Sequence, residues 1–367
     1  MSTRIFVMTH KSCEPTGFSE YTPLQVGAAK NGKIPGYVGD DTGDNISALN
    51  KYYGELTGVY WIWKNYHEDD FIGVCHYRRY FTDEENNLLG EGQIEEILKK
   101  HSIIVPRPNI SFQTNEEGYA ESHNINDLYA CGRAIGKLCP EYGPYFEENL
   151  KSHRSYFANL MITSHEKYDE YCRWLFSIID EAKDDIDVSG YDSYHKRVYG
   201  FLSEQLLTVW VKGSKLLPYE CHVGITSEKV ETRELKKRLQ DLVTRKNYTA
   251  ARQAYYSAME KRPDVRLAGS DFNGELGKIE CILYIMEQEK LYGQESFAGV
   301  SSLLKDLILH YDNITSILKA LGEGSATQEM IEYLYSTKTT TIATEVIMRN
   351  TAGIQNDVVR QILGMPK

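Results

Sequence analysis

Short apolar runs alternate with amphipathic segments along the first part of the chain. Apolar runs rich in β-branched and aromatic residues predict buried strands. They occupy residues 4–9, 71–75, 102–105, 156–163 and 215–219. Apolar positions that recur at helical spacing predict amphipathic helices. These occupy residues 46–65, 93–100, 127–138, 145–152, 165–182 and 198–212. Strands that alternate with helices predict an α/β domain with a mixed, mostly parallel sheet flanked by helices.

The pattern changes near Ser227, after which helical spacing continues and strand signals are rare. Residues 246–263 match the second half of a tetratricopeptide repeat, in which small residues let two helices pack closely. The position 34 residues after Ala251 is Ile285, so a second repeat in register is not evident. We therefore predict an α/β domain over residues 1–226 and an all-helical, tetratricopeptide-like domain over residues 227–367.

The composition is that of a folded, acidic protein. Hydrophobic residues make up 41% and charged residues 25% of the chain, which are ordinary values for a globular protein. The net charge of -11 argues against a nucleic-acid partner, because non-specific binding depends on neutralising phosphates with Lys and Arg. The seven cysteines are odd in number and lack C-x-x-C spacing, which favours reduced cytosolic thiols over a disulfide framework or a zinc site.

The start of the chain lacks the basic and apolar regions of a signal peptide. No run approaches the roughly 20 apolar residues that a membrane-spanning helix needs. We therefore expect a cytoplasmic protein without a transmembrane segment, whose membrane contact would be peripheral, at the inner face of the cell membrane.

The richest candidate chemistry follows the strand at residues 71–75, which runs into His76, Tyr77, Arg78 and Arg79. Guanidinium groups pair bidentately with phosphate oxygens, and a diphosphate leaving group needs such neutralisation as its bond breaks. Many sugar-nucleotide transferases carry a metal-binding acidic pair at this place, whereas this strand end is basic. The alternative interpretation is a structural cluster of ion pairs.

Three weaker features accompany it. The loop at residues 39–45 can hold a cation or ribose hydroxyls, or can be a turn that caps a helix. Thr9, His10 and Lys11 end the first strand and either contact a nucleotide or face solvent. Glu204 lies in an apolar helix and acts as a general base or forms an ordinary ion pair. Motifs typical of P-loop NTPases, Rossmann dehydrogenases, zincins and α/β-hydrolases are absent from the sequence.

Several long motifs resemble one bacterial family, the domain of unknown function 4422. They are THK at 9–11, DDTGDNIS at 40–47, ELTGVYWIWKN at 55–65, IGVCHYRRYF at 72–81, FANLMI at 157–162 and GFLSEQLLTVW at 200–210. The resemblance covers residues 4–225. The family is similar to glycosyltransferases with a GT-A-type fold that assemble capsule, exopolysaccharide and O-antigen. Some members resemble inverting galactofuranosyltransferases that use UDP-galactofuranose.

The resemblance implies a donor site lined by the loop and strand-end residues, with the basic strand end facing the diphosphate or the sugar. The candidate catalytic residues are Glu204, Asp41 and His76. The candidate substrate-binding residues are Thr9, His10, Lys11, Asp40, Asp44, Asn45, Tyr77, Arg78, Arg79 and Asn159. The base is Glu204 or one of the acidic loop residues. The need for a divalent cation, Mn²⁺ or Mg²⁺, stays open, and its ligands are unknown.

We therefore expect an inverting glycosyltransferase that moves a sugar, such as galactofuranose, from a UDP-sugar donor to a hydroxyl of a glycan acceptor. The acceptor is lipid-linked or free, and the helical tail is a candidate surface for homo-oligomers. One alternative is a non-catalytic scaffold that binds nucleotide sugars or glycans and recruits partners through its tail. Another is a nucleotide-sugar hydrolase or phosphotransferase.

Overall fold

The structure is a computed structural model that describes residues 2–111, 113–225, 228, 230–261, 274–351 and 353–365. The chain separates into two compact units, Met1–Thr226 and Ser227–Lys367. The first unit mixes strands and helices, and the second is helical throughout its described residues. A mixed α/β region followed by an all-α region agrees with the sequence pattern. None of the described helices combines the length and apolar character needed to cross a membrane.

The first unit is built on one large sheet whose strand order is β3-β2-β1-β4-β5-β10-β6-β9. The strands are β1 (Thr3–Thr9), β2 (Tyr21–Gln25), β3 (Val38–Gly39), β4 (Phe71–His76), β5 (Arg79–Thr82), β6 (Ile103–Pro106), β7 (Asn109–Ile110), β8 (Arg154–Ser155), β9 (Met161–Ser164) and β10 (Pro218–Ile225). Strands β7 and β8 form a separate small sheet.

The helices of the first unit follow the chain order of the strands. They are α1 (Ala28–Asn31), α2 (Asn50–Tyr53), α3 (Leu56–Asn65), α4 (Glu91–Leu98), α5 (Asn115–Ser122), α6 (Ile125–Leu138), α7 (Gly143–Lys151), α8 (His165–Ala182) and α9 (Val198–Gly213). The main core forms where helices α3, α6, α8 and α9 pack together and against the sheet. Trp210, Tyr168 and Tyr171 are among its largest fully buried side chains.

Strand order creates a crevice at one edge of the sheet. Strand β1 pairs in parallel with β2 on one side and with β4 on the other, and β2 pairs in parallel with β3. The chain therefore builds outward from β1 in one direction and then returns to place β4 on the opposite side. In open α/β sheets, ligands bind beyond the carboxyl ends of strands at such a reversal. This edge carries Thr9 and His76.

The other half of the sheet contains the antiparallel strands. Strand β5 runs antiparallel to β4 and β10, and β9 runs antiparallel to β4 and β6. Strands β10 and β6 are parallel. Within the described residues, six strands of the large sheet therefore run in one direction and only β5 and β9 in the other, which agrees with the predicted mixed, mostly parallel sheet. Strand β4 lies at its centre because one edge pairs with β1 while the other is shared by β9 and β5.

Local backbone geometry explains two wrong element predictions. The single helix predicted over residues 46–65 is divided, because Gly54 has φ 56° and ψ −133° and ends α2 before α3 begins. The strand predicted over residues 156–163 begins only at Met161, because Ala158 and Asn159 have φ values of 62° and 51°. Left-handed backbone cannot continue a strand. Both interruptions lie next to the candidate site.

The predictions also missed or displaced several strands. Strands β2, β3 and β5 were not predicted, and β10 extends well beyond the expected strand at residues 215–219. Short edge strands and strands with few β-branched residues give weak periodic signals. Strand β5 belongs to a tight hairpin in which His76 pairs with Arg79, so the polar residues of the turn follow β4 directly and no separate loop marks the start of β5.

The second unit is a stack of helices with its own apolar core. Its helices are α10 (Val230–Thr244), α11 (Tyr248–Lys261), α12 (Glu275–Leu291), α13 (Ser296–Val300), α14 (Leu304–Glu323), α15 (Gln328–Ser336), α16 (Thr341–Asn350) and α17 (Asn356–Leu363). Ala251 and Tyr255, which belong to the repeat match, are buried in α11, and this helix packs against α10 and α12. Pro263, the last residue of that match, lies outside the described residues, and the tetratricopeptide architecture stays a prediction.

Candidate functional site

The adjacent carboxyl ends of β1 and β4 bring two of the predicted motifs together. Met8 and His76 are partners across the two strands, and the Tyr77 N–H donates to the Met8 carbonyl at 3.1 Å. The rings of His10 and Tyr77 meet edge to face, with centroids 5.5 Å apart. Lys11 Nζ lies 5.2 Å from the centroid of the Tyr77 ring. Thr9, buried in β1, accepts the Lys11 N–H at 3.2 Å and shapes this turn.

The β4–β5 hairpin concentrates positive charge at the same edge. Because His76 pairs with Arg79, Tyr77 and Arg78 form the tip of a tight turn. The Arg78 guanidinium carbon lies 4.9 Å from the Tyr77 ring centroid. A guanidinium group that packs against an aromatic face remains charged, and its N–H groups remain available to bind an anion. The hairpin therefore presents two guanidinium groups beside His76.

His76 is a neutral imidazole at physiological pH. Burial lowers its pKa to about 4, an effect that the Glu55 carboxylate opposes and that Arg79, Arg78 and Arg197 reinforce. Nε2 of His76 is buried and has no hydrogen-bond partner among the described residues. A neutral ring with such a nitrogen can donate or accept one hydrogen bond to a ligand.

Glu204 enters the site from α9, whose other residues are largely apolar. Burial, followed by the charge of Glu55, raises the pKa of Glu204 to about 7, against the opposing effects of Arg79, the Ala158 N–H and Arg197. The residue nevertheless keeps part of its surface accessible. A carboxylate surrounded by protein but reachable from solvent, with a pKa near neutrality, suits proton transfer.

Two site residues, Glu55 and Arg197, were missed by sequence reasoning. Glu55 sits in the turn between α2 and α3, and Asn159 Nδ2 donates to its Oε1 at 2.7 Å. Arg197 immediately precedes α9, seven residues or about two turns before Glu204 on the same face. The sequence contains features that could have indicated both residues. Glu55 is the first residue of the motif at residues 55–65 and directly follows Gly54, and Arg197 is the last residue of a basic run.

Comparisons with known proteins give the family of the chain and a similar solved structure. Residues 4–215 match the family described as domain of unknown function DUF4422. The chain belongs to this family. It is also similar to a solved structure described as the apo form of the bifunctional glycosyltransferase WbbM, with a TM-score of 0.58 and 28% sequence identity. That match covers 62% of this chain and 46% of WbbM, so the chain spans less than half of that protein. A search of curated proteins found no match.

Within this DUF4422 domain, the acidic loop at residues 39–45 does not converge on the crevice. Asp41 follows β3, two strands from β1 or about 10 Å at the usual strand spacing, and its Oδ2 pairs with Lys33 at 3.2 Å. Asp44 accepts the Tyr60 hydroxyl at 3.1 Å. Asn45 bonds within its own turn, where its Oδ1 accepts the Ser47 N–H at 3.2 Å.

Asp44 is further separated from Glu55 by the length of helix α3. Asn65 Oδ1 at the end of that helix accepts the Asp44 N–H at 3.1 Å, whereas Glu55 precedes its first turn. Ten residues of α-helix span about 15 Å. The structure therefore gathers Thr9, His10, Lys11 and Tyr77 at the tip of the hairpin and the carboxylates Glu55 and Glu204 near Arg79 and Arg197, without Asp44 or Asn45.

Asp40 has a structural position instead of the predicted donor-binding or catalytic one. Its carboxylate is fully buried and accepts the N–H groups of Gly27 at 2.8 Å and Ala28 at 3.0 Å. The Ser47 hydroxyl also donates to it. Both oxygens are thus engaged in joining the loop after β2 to the turn before α2.

Replacing Asp40 with Ala is expected to lower the free energy of unfolding by about 3 kcal/mol, because three buried donors lose their acceptor. Urea denaturation followed by circular dichroism measures this loss. Asp44→Ala is the matched control, since Asp44 is exposed and its removal should change stability by less than about 1 kcal/mol. Equal stabilities of the two variants would contradict the structural role of Asp40.

The described residues do not form a ligand set for a metal ion. No group of three or more His, Cys, Asp or Glu side chains in the described part of the chain is placed to hold one. The carboxylates Glu55 and Glu204 instead face the arginines of the β4–β5 hairpin and of α9.

Proposed function

We propose that the chain is an inverting glycosyltransferase of GT-A type that moves a sugar from a UDP-sugar donor to a hydroxyl of a glycan acceptor in polysaccharide synthesis. The observation that carries the proposal is the arrangement of Glu204 beside Arg79 and Arg197, and of His76 beside Arg78 and Arg79, at the reversal point of the sheet. Similarity to the glycosyltransferase WbbM supports the general reaction class. Galactofuranose is the donor sugar to test first, on the resemblance of the family.

The arginines suit a diphosphate. Three guanidinium groups outnumber the two carboxylates of the site, and His76 adds no charge near neutral pH because burial lowers its pKa to about 4. A positive potential draws the anionic donor into the crevice. As the bond from the anomeric carbon to the diphosphate oxygen breaks, the electron pair moves onto the diphosphate, and fixed N–H donors stabilise this charge.

Glu204 takes the acceptor proton. The acceptor oxygen attacks the anomeric carbon from the face opposite the diphosphate, so the new glycosidic bond has the inverted configuration. The proton of the attacking hydroxyl passes to the Glu204 carboxylate. Because its pKa is raised to about 7, Glu204 is ionised in much of the population at neutral pH and still basic enough to accept the proton.

The remaining residues of the crevice bind and orient the substrates. We assign His10, Lys11 and Tyr77 to the nucleotide end of the donor, because they lie beyond β1 at the ligand-binding edge. His76 offers Nε2 to a donor oxygen or a sugar hydroxyl. Asn159 positions Glu55, because its Nδ2 donates a hydrogen bond to that carboxylate.

The first experiment combines ligand binding with product analysis. Purified protein is titrated with UDP, UDP-galactose, UDP-galactofuranose and GDP-mannose in a thermal-shift assay, with Mn²⁺ and with EDTA. Ligands that bind only the folded state raise the melting temperature with concentration. We expect a shift with the uridine compounds alone, and a new glycosidic product on a glycan acceptor.

Each other outcome has a distinct meaning. Loss of the uridine-dependent shift in EDTA would assign the diphosphate to a cation instead of the arginines. Free sugar without transfer would indicate a nucleotide-sugar hydrolase. A shift without turnover on any acceptor would favour a non-catalytic binding protein, and the absence of any shift would contradict the proposed function.

A further inference from the structure

A two-residue turn lies beside the carboxylates of the site and anchors one of them. Ala158 and Asn159 have φ values of 62° and 51°, a left-handed conformation that is uncommon for residues other than glycine. The Asn159 side chain, almost fully buried, donates to Glu55 Oε1 at 2.7 Å and to the Gly200 carbonyl at 3.3 Å. The Ala158 N–H lies near Glu204 and lowers its pKa. The turn thus joins Glu55 to the first turn of α9, the helix that carries Glu204.

Helix α9 packs tightly against the turn that carries Glu55. A Cβ atom on Gly200 would lie 3.3 Å from the Tyr53 carbonyl oxygen and 3.8 Å from Glu55 Oε2. Gly200 and Glu204 are four residues apart and therefore lie on the same face of α9. Glu55 is consequently confined between Asn159 and α9, on the side of the helix that presents Glu204.

We propose that Glu55 is a positioning residue for the base: anchored by Asn159, it holds a fixed negative charge against Glu204 and does not itself take the acceptor proton. This inference rests on the proposed function, because it deepens the assignment of Glu204. The two carboxylates are not equivalent. Glu55 accepts the buried Asn159 side-chain amide at 2.7 Å, whereas Glu204 keeps part of its surface accessible.

The charged and titratable groups around Glu204 determine whether its pKa rises or falls when the charge of Glu55 is removed. Glu55 acts from the turn before α3, Arg79 from β5, Arg197 from the start of α9 and Tyr119 from α5. Burial holds the pKa of Tyr119 well above its usual value, so this phenol stays neutral. Glu55 raises the pKa of Glu204, whereas the two arginines lower it. Removing the Glu55 charge leaves the arginines unopposed, and the pKa of Glu204 must fall.

The test replaces Glu55 with Gln in the full chain and follows the pH dependence of kcat/KM. A base must be unprotonated to act, so wild-type activity rises with pH through the pKa of Glu204. In Glu55→Gln we expect the midpoint of this rise to move by about one pH unit to lower pH. Glu55→Asp keeps the charge, and its midpoint should stay near that of the wild type.

Two further variants distinguish the proposed effect of Glu55 from a folding defect and from a non-specific change of charge. Asn159→Gly removes the anchor of Glu55 while tolerating the left-handed backbone, and it should move the midpoint in the same direction by a smaller amount. Glu148→Gln is the matched control, because Glu148 on α7 pairs at 2.8 Å with Lys212 of α9, the helix that carries Glu204, and is exposed. Its midpoint should equal that of the wild type.

A second readout does not depend on catalysis. Carboxyl ¹³C resonances of labelled Glu are titrated by NMR, and the Glu204 signal is assigned from its loss in Glu204→Gln. A lower midpoint for this signal in Glu55→Gln supports the proposal even where wild-type protein shows no transfer, a result that would overturn the proposed function alone. An unchanged midpoint in both Glu55→Gln and Asn159→Gly overturns the role of Glu55.

Discussion

Replacing Glu204 with Gln is expected to lower kcat by about 10²- to 10⁴-fold, the usual contribution of a general base. Gln has nearly the same shape and keeps a carbonyl oxygen next to the Ala158 N–H, which lies near Glu204 in the wild type. It cannot accept a proton. The fold should survive, because burial already favours the uncharged form of this side chain and raises its pKa to about 7.

The pH profile identifies the role of Glu204 more sharply than the loss of rate. Wild-type activity should rise as the pH increases through about 7, where Glu204 loses its proton, and this rise should be absent from the residual activity of Glu204→Gln. Steady-state kinetics over about pH 5 to 9 measure both effects. Glu148→Gln serves again as the control, because Glu148 on α7 pairs with Lys212 of α9. A Glu204→Gln variant that keeps wild-type kcat and the same rise would exclude Glu204 as the base.

Arg79→Ala should lower kcat/KM by about 10²- to 10³-fold, as expected when a preorganised donor to the leaving group is removed. Arg79 starts β5 opposite His76, and its charge reaches both His76 and Glu204. Arg79→Lys keeps the charge but loses the planar fork that binds two phosphate oxygens, so its activity should be intermediate.

This variant also tests the electrostatic coupling in the site. Because Arg79 lowers the pKa of Glu204, its removal raises that pKa and moves the rise of activity to higher pH, opposite to the effect of Glu55→Gln. Arg133→Ala is the control, since Arg133 forms an exposed ion pair with Asp185 at 2.9 Å and should leave kinetics unchanged. A wild-type kcat/KM in Arg79→Ala would contradict the proposal that Arg79 stabilises the diphosphate leaving group.

Long periodic elements were predictable from the sequence. The helix at residues 165–182 and the strands that became β1, β4 and β6 have strong apolar patterns, and the structure places them within one or two residues of their predicted bounds. The basic strand end at His76 to Arg79 was also visible, because charged residues directly after an apolar strand must lie at the edge of a sheet. Family membership followed from the same motifs.

Pairing direction, backbone turns and the partners of polar groups required the tertiary structure. Local sequence does not encode which strand lies beside β4, so the antiparallel placement of β5 and β9 next to it was not predicted. Asp40 and Glu55 are both acidic residues beside glycines, yet one is buried under the backbone N–H groups of Gly27 and Ala28 and the other faces Glu204.

The sequence by itself thus determined the α/β and all-helical character of the two parts, the apolar strands and the clustering of charge at one strand end. Only the tertiary structure decided which carboxylates share the crevice. The physical reason is that periodicity reports burial of each element, whereas the ionisation of Glu204 depends on neighbours far apart in the chain: Glu55, Arg79 and Ala158. These contacts exist only after β4, β5, α3 and α9 have packed together.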